Sequence, residues 1–318
     1  MIIREIAMNY VNDVRELIGN TPLLKLNHSN FPDTVNVYAK LEFLNPAGSI
    51  KDRTGTAMIE SAEKQGLLKK GGTVIEATAG NTGIGIALAS IHKGYRVICI
   101  MPEFCSTEKA ILIEALGGEV IRVSNESGMS GARQLAEEMK LQIPCSVVMN
   151  QFSNPANPRI HYESTGPELY QALDGNIDYF VMGAGTGGTF SGICRFLKEK
   201  NPEIKGVLAD PIGSVIGGGE PGSFEIEGIG NHFIADTMDM SLVDHVIKVS
   251  DEEAFAAVKC LAEREGLLVG SSSGAAFAAV KKLIKTDVTG TIATVFPDRS
   301  DRYLSEGIYG GVKTYGKN

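Results

Sequence analysis

From residue 35 onward, short segments rich in β-branched residues alternate with longer segments of helical pattern. The pattern predicts a short strand within residues 18–25 and strands at 35–43, 73–77, 96–101, 119–123, 146–149, 178–182, 205–209 and 291–296. Helices are predicted at 52–67, 82–92, 106–116, 130–141, 161–173, 189–199, 251–265 and 274–285. Such alternation indicates βαβ crossovers and mainly parallel sheets with helices on both faces, the α/β class.

Eight main strands could in principle close a TIM barrel, but residues 210–230 hold seven glycines and interrupt the alternation. We therefore expect two open, mainly parallel-sheet α/β domains with the active site between them. Asn-Pro occurs twice in residues 150–158, which indicates a boundary there. The predicted domains are a smaller one at residues 45–150 and a larger one from residues 1–44 plus 151–318.

Composition and charge exclude several partners and sites. The chain has 318 residues, is 43% hydrophobic, and carries a net charge of −8, which argues against nucleic acid or an anionic membrane as partner. It has no membrane-length apolar run, and residues 1–16 lack a signal-peptide pattern. The five cysteines form no C-x-x-C pair and the histidines no H-E-x-x-H pair. We expect a cytoplasmic protein with reduced thiols and no metal.

In open α/β sheets, ligands bind at the carboxyl ends of the strands. Residues 45–53 (NPAGSIKDR) follow one predicted strand and lead into a helix, so Lys51 lies at a helix start. The positive end of the helix dipole and the apolar flank of Ala47 and Ile50 favour a neutral amine, which is a nucleophile that can form a Schiff base. From this segment alone, a solvated surface lysine is the simpler interpretation.

A second loop, residues 76–83 (EATAGNTG), joins a predicted strand to a predicted helix. It offers two hydroxyls, an amide side chain and several backbone N–H groups at a helix N-terminus. Such a loop suits a carboxylate. An ordinary βα turn with a Thr or Asn cap accounts for the same residues equally well.

The third loop, residues 183–189 (GAGTGGT), has glycines that let backbone N–H groups approach an anion and two threonines that add donors. It is predicted to bind phosphate. It also fits G-x-G-x-x-G, with Asp210 about 20 residues further on, which is the dinucleotide fingerprint. An NAD-dependent oxidoreductase is therefore an alternative of another class.

Two further segments are weaker signals. Residues 270–274 (GSSSG) begin a predicted helix, and their three hydroxyls could bond a ring nitrogen or cap the helix. Glu227 adds a carboxylate within a glycine-rich loop, which on its own reads as a solvated surface loop.

Taken together, these motifs resemble those of a family. NPAGSIKDR, TAGNTG, NQFSNPANP, GAGTGGT and GSSSG occur in the order seen in the cysteine synthases and cystathionine β-synthases, which are pyridoxal-phosphate (PLP) enzymes of the tryptophan synthase β-like fold. The resemblance runs from residue 18 to residue 298. It favours the functional interpretation of Lys51 and disfavours NAD, since a dinucleotide site has no role for that lysine.

The resemblance implies a role for each matched residue. Lys51 binds PLP covalently, and the freed lysine amine removes the substrate α-proton. Asn81 contacts the 3′-oxygen of the cofactor, and Ser272 faces its pyridine nitrogen. The residues implied to bind the cofactor phosphate are Gly185, Thr186, Gly187, Gly188 and Thr189. The residues implied to bind the substrate α-carboxylate are Thr78, Ala79, Asn81, Thr82 and Gln151.

The implied activity is β-replacement in sulfur amino-acid metabolism, with O-acetylserine or serine as first substrate and homocysteine or sulfide as nucleophile. Serine or threonine dehydratase activity and a non-catalytic PLP-binding protein stay open as alternatives. The resemblance also implies a homodimer, and it leaves open whether the C-terminus of serine acetyltransferase binds here. The chain lacks the haem segment and regulatory domains of the animal enzymes, so a compact bacterial form is expected.

Two positions bear on the branch of the family. Ala79 stands where cysteine synthases commonly have a serine, so a carboxylate contact at this position can only come from the backbone. Residues 227–230 (EGIG) resemble the cystathionine β-synthase branch more than the cysteine synthase branch. We expect Glu227 to bind the ammonium group of homocysteine.

Overall fold

The strands of the fold form two separate sheets. The computed structural model describes residues 10–309. The strands are β1 (Leu23–Lys25), β2 (Val35–Leu41), β3 (Thr73–Ala77), β4 (Arg96–Pro102), β5 (Glu119–Val123), β6 (Ser146–Val148), β7 (Tyr179–Gly183), β8 (Lys205–Pro211), β9 (His245–Val249) and β10 (Gly290–Phe296). One sheet has the order β1-β2-β10-β7-β8-β9, and the other has the order β5-β4-β3-β6.

Pairing within both sheets is parallel, except that β1 runs antiparallel to β2. The prediction of two open, mainly parallel sheets is therefore confirmed, and the TIM-barrel alternative is wrong. The four-stranded sheet uses only residues between Thr73 and Val148, while the six-stranded sheet uses strands from both sides of that segment. The domain boundaries at 45–150 and 1–44 plus 151–318 stay a prediction, and residues 1–9 and 310–318 lie outside the described residues.

Helices connect the strands and cover the sheets. They are α1 (Lys51–Lys64), α2 (Asn81–Ser90), α3 (Thr107–Ala115), α4 (Gly128–Gln142), α5 (Ala156–Ile160), α6 (Gly166–Ala172), α7 (Gly188–Lys200), α8 (Asp251–Glu265) and α9 (Ser271–Ile284), with a π-helical turn at His161–Thr165 between α5 and α6. Helix α8 has the predicted bounds because Ser250 and Glu253 form a capping box at its start. Within residues 10–309, no helix is both long and apolar enough to cross a bilayer.

Several elements differ from the sequence prediction. Strand β9 was missed, because it lies at the sheet edge and its first two residues are exposed, which weakens the apolar alternation. The helical segment predicted from residue 161 begins at Ala156, since Pro158 lies in the first turn, where backbone N–H groups have no helical acceptor. Helix α9 begins at Ser271, not at Gly274.

Helices α1 and α2 are in direct backbone contact through two glycines. A Cβ added at Gly55 would overlap the backbone of Gly85, and a Cβ added at Gly85 would overlap the carbonyl of Lys51. Both positions are buried. The first residue of α1, Lys51, is thereby fixed against the helix that begins at Asn81.

Candidate active site

Lys51 is the first residue of α1, following the turn at residues 45–50. Its backbone N–H donates to Ser49 Oγ at 3.2 Å. Burial lowers the pKa of the Lys51 amine to about 8, and the nearby charge of Glu76 partly opposes this shift. From the sequence we attributed a neutral amine to the helix dipole and an apolar flank. In the structure, burial is the main cause of the lowered pKa. An amine with this pKa is still mainly protonated at pH 7, but its neutral fraction is far larger than that of an ordinary lysine, and the neutral form can act as a nucleophile or base.

The predicted carboxylate loop lies between β3 and α2. Thr78 Oγ1 accepts from the N–H of Gly80 at 2.9 Å, and Thr82 Oγ1 donates to Gln151 Oε1 at 2.6 Å. Gln151 Nε2 in turn donates to the carbonyl of Ala77 at 3.0 Å. The structure thus brings together residues that are distant in the chain, the loop threonines and Gln151. The N-cap residue of α2 is Gly80, which has no side chain to cap the helix, so N–H groups at its start can face an anion.

The side chain of Asn81 forms hydrogen bonds with two residues that follow β10. Its Nδ2 donates to Asp298 Oδ2 at 2.6 Å, and its Oδ1 accepts from Arg302. Arg302 also donates to the carbonyl of Ala47, in the turn that precedes Lys51. Asn81 and the Lys51 turn therefore share one partner. The sequence did not predict Arg302, whose only signal was its nearness to the end of the matched region.

The predicted phosphate loop, residues 183–189, lies at the junction of β7 and α7. Helix α7 has Gly187 as its N-cap, in the left-handed region at φ +79°, and this glycine has no side chain to cap the helix. Added Cβ atoms at Gly185, Gly187 and Gly188 would overlap Gly228, Met238 and Asn157 respectively. Only glycine allows this close approach of backbone. The result is a cradle of backbone N–H groups at a helix N-terminus, flanked by buried threonines at 186 and 189.

Two buried side chains that the sequence analysis did not assign connect these loops. Asn157 Nδ2 donates to the carbonyl of Gln151 and to Thr186 Oγ1, both at 2.9 Å. Asn157 therefore connects Gln151, the hydrogen-bond partner of the carboxylate loop, to the phosphate loop. Asn157 lies within the NQFSNPANP motif, which was the signal that could have identified it.

His161 is the second connecting side chain. Its Nε2 lies 3.2 Å from Thr54 Oγ1 and 3.1 Å from Thr189 Oγ1, and its Nδ1 lies 3.0 Å from Thr165 Oγ1. Complete burial and the nearby Lys51 lower the pKa of His161 well below its usual value, so the ring is neutral. His161 joins the first turn of α1 to the phosphate loop without adding a charge.

Ser272 lies buried in the first turn of α9, whose N-cap is Gly270, so the interpretation of these serines as a helix cap is wrong. The neighbouring Ser271 Oγ accepts from the N–H of Glu227 at 3.1 Å. The Glu227 carboxylate forms an ion pair with Lys109, a buried residue of α3. This ion pair was not expected from the sequence, which treated Glu227 as facing a substrate.

Comparison with known proteins identifies the family. The family model described as pyridoxal-phosphate dependent enzyme matches residues 14–298. An O-acetylserine dependent cystathionine beta-synthase of Bacillus subtilis is 51% identical over 305 residues, 96% of this chain and 99% of that protein. A cysteine synthase of Helicobacter pylori is 45% identical, covering 95% and 100%. A crystal structure of an O-acetylserine dependent cystathionine beta-synthase from Helicobacter pylori aligns with TM-score 0.91 and 44% identity, covering 95% and 100%.

The chain belongs to the family of pyridoxal-phosphate dependent enzymes. The site fits that cofactor: Lys51 supplies an amine of lowered pKa, and the phosphate loop supplies backbone N–H groups on glycines that pack too closely on their neighbours to carry a side chain. The phosphate loop follows the carboxyl end of β7, and Lys51 follows the turn that comes after β2.

The NAD alternative is wrong. Asp210, which would have bound a ribose, is fully buried, and its carboxylate pairs with Lys248 Nζ at 2.6 Å and accepts from the N–H of Gly217 at 2.9 Å. Among residues 10–309, moreover, no group of three His, Cys, Asp or Glu side chains is arranged to hold a metal ion.

Proposed function

We propose that this enzyme catalyses β-replacement on O-acetylserine, with homocysteine as nucleophile to give cystathionine and with sulfide as nucleophile to give cysteine. The observation that carries the proposal is Glu227, whose backbone bonds Ser271 beside Ser272 and whose loop packs on the phosphate loop through Gly228 and Gly185. Its carboxylate suits the ammonium group of an amino-acid nucleophile. The names of the Bacillus and Helicobacter relatives support the two products.

In the proposed reaction, the cofactor and Lys51 have separate tasks. PLP, when bound, withdraws electron density from the amino acid Cα, which permits loss of the α-proton and the β-substituent. Lys51 binds the cofactor and then takes the α-proton, for which a pKa of about 8 is suited. The Cβ–O bond to acetate breaks with its electron pair leaving on acetate, and a Cβ–S bond forms as the thiol gives up its proton.

The remaining site residues are assigned as part of this proposal. The substrate α-carboxylate is bound by Thr78, Asn81, Thr82 and Gln151, and by the backbone at Ala79. The hydrogen-bonded pair of Thr82 and Gln151 supports this assignment, because it orders donors from two segments around one loop. The phosphate is bound by the backbone and threonines of residues 185–189. Ser272 faces the pyridine nitrogen, and Asn81 also contacts the 3′-oxygen.

One assay tests the proposal. Purified enzyme with PLP is given serine or O-acetylserine, each with sulfide and with homocysteine, and acetate, cysteine, cystathionine and pyruvate are quantified. We expect acetate release with cystathionine and cysteine from O-acetylserine. Pyruvate from serine as the main product would favour the dehydratase alternative, and absence of turnover would favour a non-catalytic PLP-binding protein.

Replacing Asn81 by alanine should slow the first half-reaction while PLP stays bound. The variant loses a side-chain donor to the substrate carboxylate, which costs about 1.5–3 kcal/mol or roughly 10–100-fold in rate. Rapid-quench measurement of acetate release from O-acetylserine checks this. Asn125→Ala, at an exposed loop position, is the control. An unchanged rate of acetate release would contradict the role of Asn81.

Replacing Glu227 by glutamine should reduce cystathionine formation relative to cysteine formation by about tenfold or more, because one charge-assisted contact to the ammonium is lost. Acetate release should not respond, since homocysteine has not yet bound at that stage. Product ratios under competition between homocysteine and sulfide measure the effect. Glu225→Gln changes an exposed carboxylate of the same loop and serves as control. Equal loss of both products would indicate a structural role.

We also propose a cytoplasmic homodimer, with the C-terminus of serine acetyltransferase as a candidate partner. All five cysteines are free, which supports a reducing compartment. Exposed Ile111 and Leu112 on α3 and exposed Phe104 just before it support a subunit contact on that face. Sedimentation of the purified protein, alone and with a peptide of the acetyltransferase C-terminus, tests both.

A further inference from the structure

Lys109, the third residue of α3, is a buried lysine that the reaction outlined above does not use. Only 2% of it is exposed. Its Nζ forms an ion pair with the Glu227 carboxylate and lies 4.2 Å from the centroid of the Tyr303 ring. A buried ammonium is costly unless it is paired, so this position requires an explanation.

The Lys109–Glu227 pair lies within the candidate active site. The aliphatic part of Lys109 packs on Gly80 of the carboxylate loop, where an added Cβ would come within 2.9 Å of Lys109 Cγ. On the other side, Glu227 is bonded through its backbone to Ser271, at the start of the helix that carries Ser272. The ion pair therefore joins the loop proposed to bind the first substrate to the helix proposed to face the cofactor ring.

The ion pair itself balances one cation against one anion. Glu306 is a further ionisable group beside Glu227; it is exposed to solvent, and partial desolvation together with the charge of Glu227 raises its pKa to about 8. Glu306 is thus mostly neutral at pH 7. Separating Lys109 from Glu227 would leave a buried ammonium and a largely buried carboxylate without partners, which is strongly unfavourable. A molecule that carries both charges could separate them, because it supplies an opposite partner to each.

We propose, building on the function proposed above, that Lys109 and Glu227 together recognise the zwitterionic head of the amino-acid nucleophile, Lys109 binding its carboxylate and Glu227 its ammonium. Lys109 is then a specificity-determining residue. An amino-acid thiol replaces one ion pair by two, each charge-assisted. Sulfide carries neither group and leaves the pair closed.

If the ion pair is only a clamp, meaning that it only holds the carboxylate loop and helix α9 together, a different experimental result is expected. Breaking a clamp affects every nucleophile alike, whereas breaking a two-charge recognition site affects each nucleophile according to the charges it carries. Four nucleophiles separate the cases: homocysteine with both charges, 4-mercaptobutyrate with the carboxylate only, 3-mercaptopropylamine with the ammonium only, and sulfide with neither.

The test compares Lys109→Met, which keeps the stem that packs on Gly80, with Glu227→Gln. In kcat/KM relative to sulfide, Lys109→Met should lose about tenfold with homocysteine and with 4-mercaptobutyrate but not with 3-mercaptopropylamine. Glu227→Gln should lose about tenfold with homocysteine and with 3-mercaptopropylamine but not with 4-mercaptobutyrate. Arg96→Met, which breaks the exposed pair with Glu119, is the control and should leave all four ratios unchanged.

Equal losses with all four nucleophiles would overturn the proposal in favour of a clamp. If Lys109→Met does not fold, the wild-type enzyme decides: it should prefer homocysteine to each single-charge thiol by about tenfold, and no preference would overturn the proposal. Acetate release from O-acetylserine is measured in parallel. Normal acetate release without the charge pattern refutes only this inference, whereas no acetate release by the wild-type enzyme refutes the proposed function.

Discussion

Lys51→Ala should yield a protein without covalently bound PLP and with β-replacement reduced by at least about 10²–10⁴-fold, the range for loss of a positioned general acid–base. The reason is that one amine is assigned both tasks, binding the cofactor and moving the α-proton. Borohydride reduction followed by mass spectrometry measures the first effect, because it should fix PLP on the Lys51 peptide in the wild type alone. Product formation from O-acetylserine and sulfide measures the second.

Lys64→Ala is the matched control, since Lys64 lies at the other end of α1 and is exposed. That variant should retain both the reduced adduct and the activity. A reduced adduct on any other lysine of the wild type, or one that persists in Lys51→Ala, would contradict the assignment of Lys51.

Gly187→Asp is expected to abolish retention of PLP. Gly187 is in the left-handed region at φ +79°, and an added Cβ would overlap Met238, so any side chain strains this turn. An aspartate also sets an unpaired negative charge in the phosphate cradle, which costs about 3–5 kcal/mol, or more than about 10² in Kd. Titration of the apoprotein with PLP, followed by absorbance, measures the affinity.

Gly218→Asp is an unusually close control for this change. Gly218 has φ +80°, almost the same φ as Gly187, but no heavy atom lies within 4 Å of the position of an added Cβ. This variant should bind PLP normally. If Gly187→Asp also bound PLP with wild-type affinity, the phosphate would have to lie elsewhere. Asp210→Asn should likewise leave PLP binding unchanged.

Most of the site that the sequence predicted is local in the chain. The phosphate loop could be predicted because a strand, a run of glycines and a helix follow each other within residues 179–200. The same holds for the turn that leads into Lys51. In each case the chemistry depends on backbone conformation and on a helix N-terminus, both of which short segments specify.

The contacts between the segments could not be predicted in this way. Lys109 and Glu227 are 118 residues apart, and Thr54 and His161 are 107 apart. Their pairing depends on how the two sheets pack, which no single motif encodes. A lone lysine in an amphipathic helix is normally solvated, so burial of Lys109 had no signal in the sequence. Strand β9 was missed for a related reason, since an edge strand has fewer buried positions.

The contact between Gly55 and Gly85 limits how the specificity of this enzyme can be altered. Because the two helix backbones touch, the backbone of Lys51 at the start of one helix and the proposed carboxylate loop at the start of the other keep a fixed separation. The contact between α1 and α2 therefore leaves no room to adapt the site to longer or shorter first substrates. Variation in substrate range has to come from Lys109, Glu227 and Glu306, whose side chains meet beside the carboxylate loop and can be exchanged.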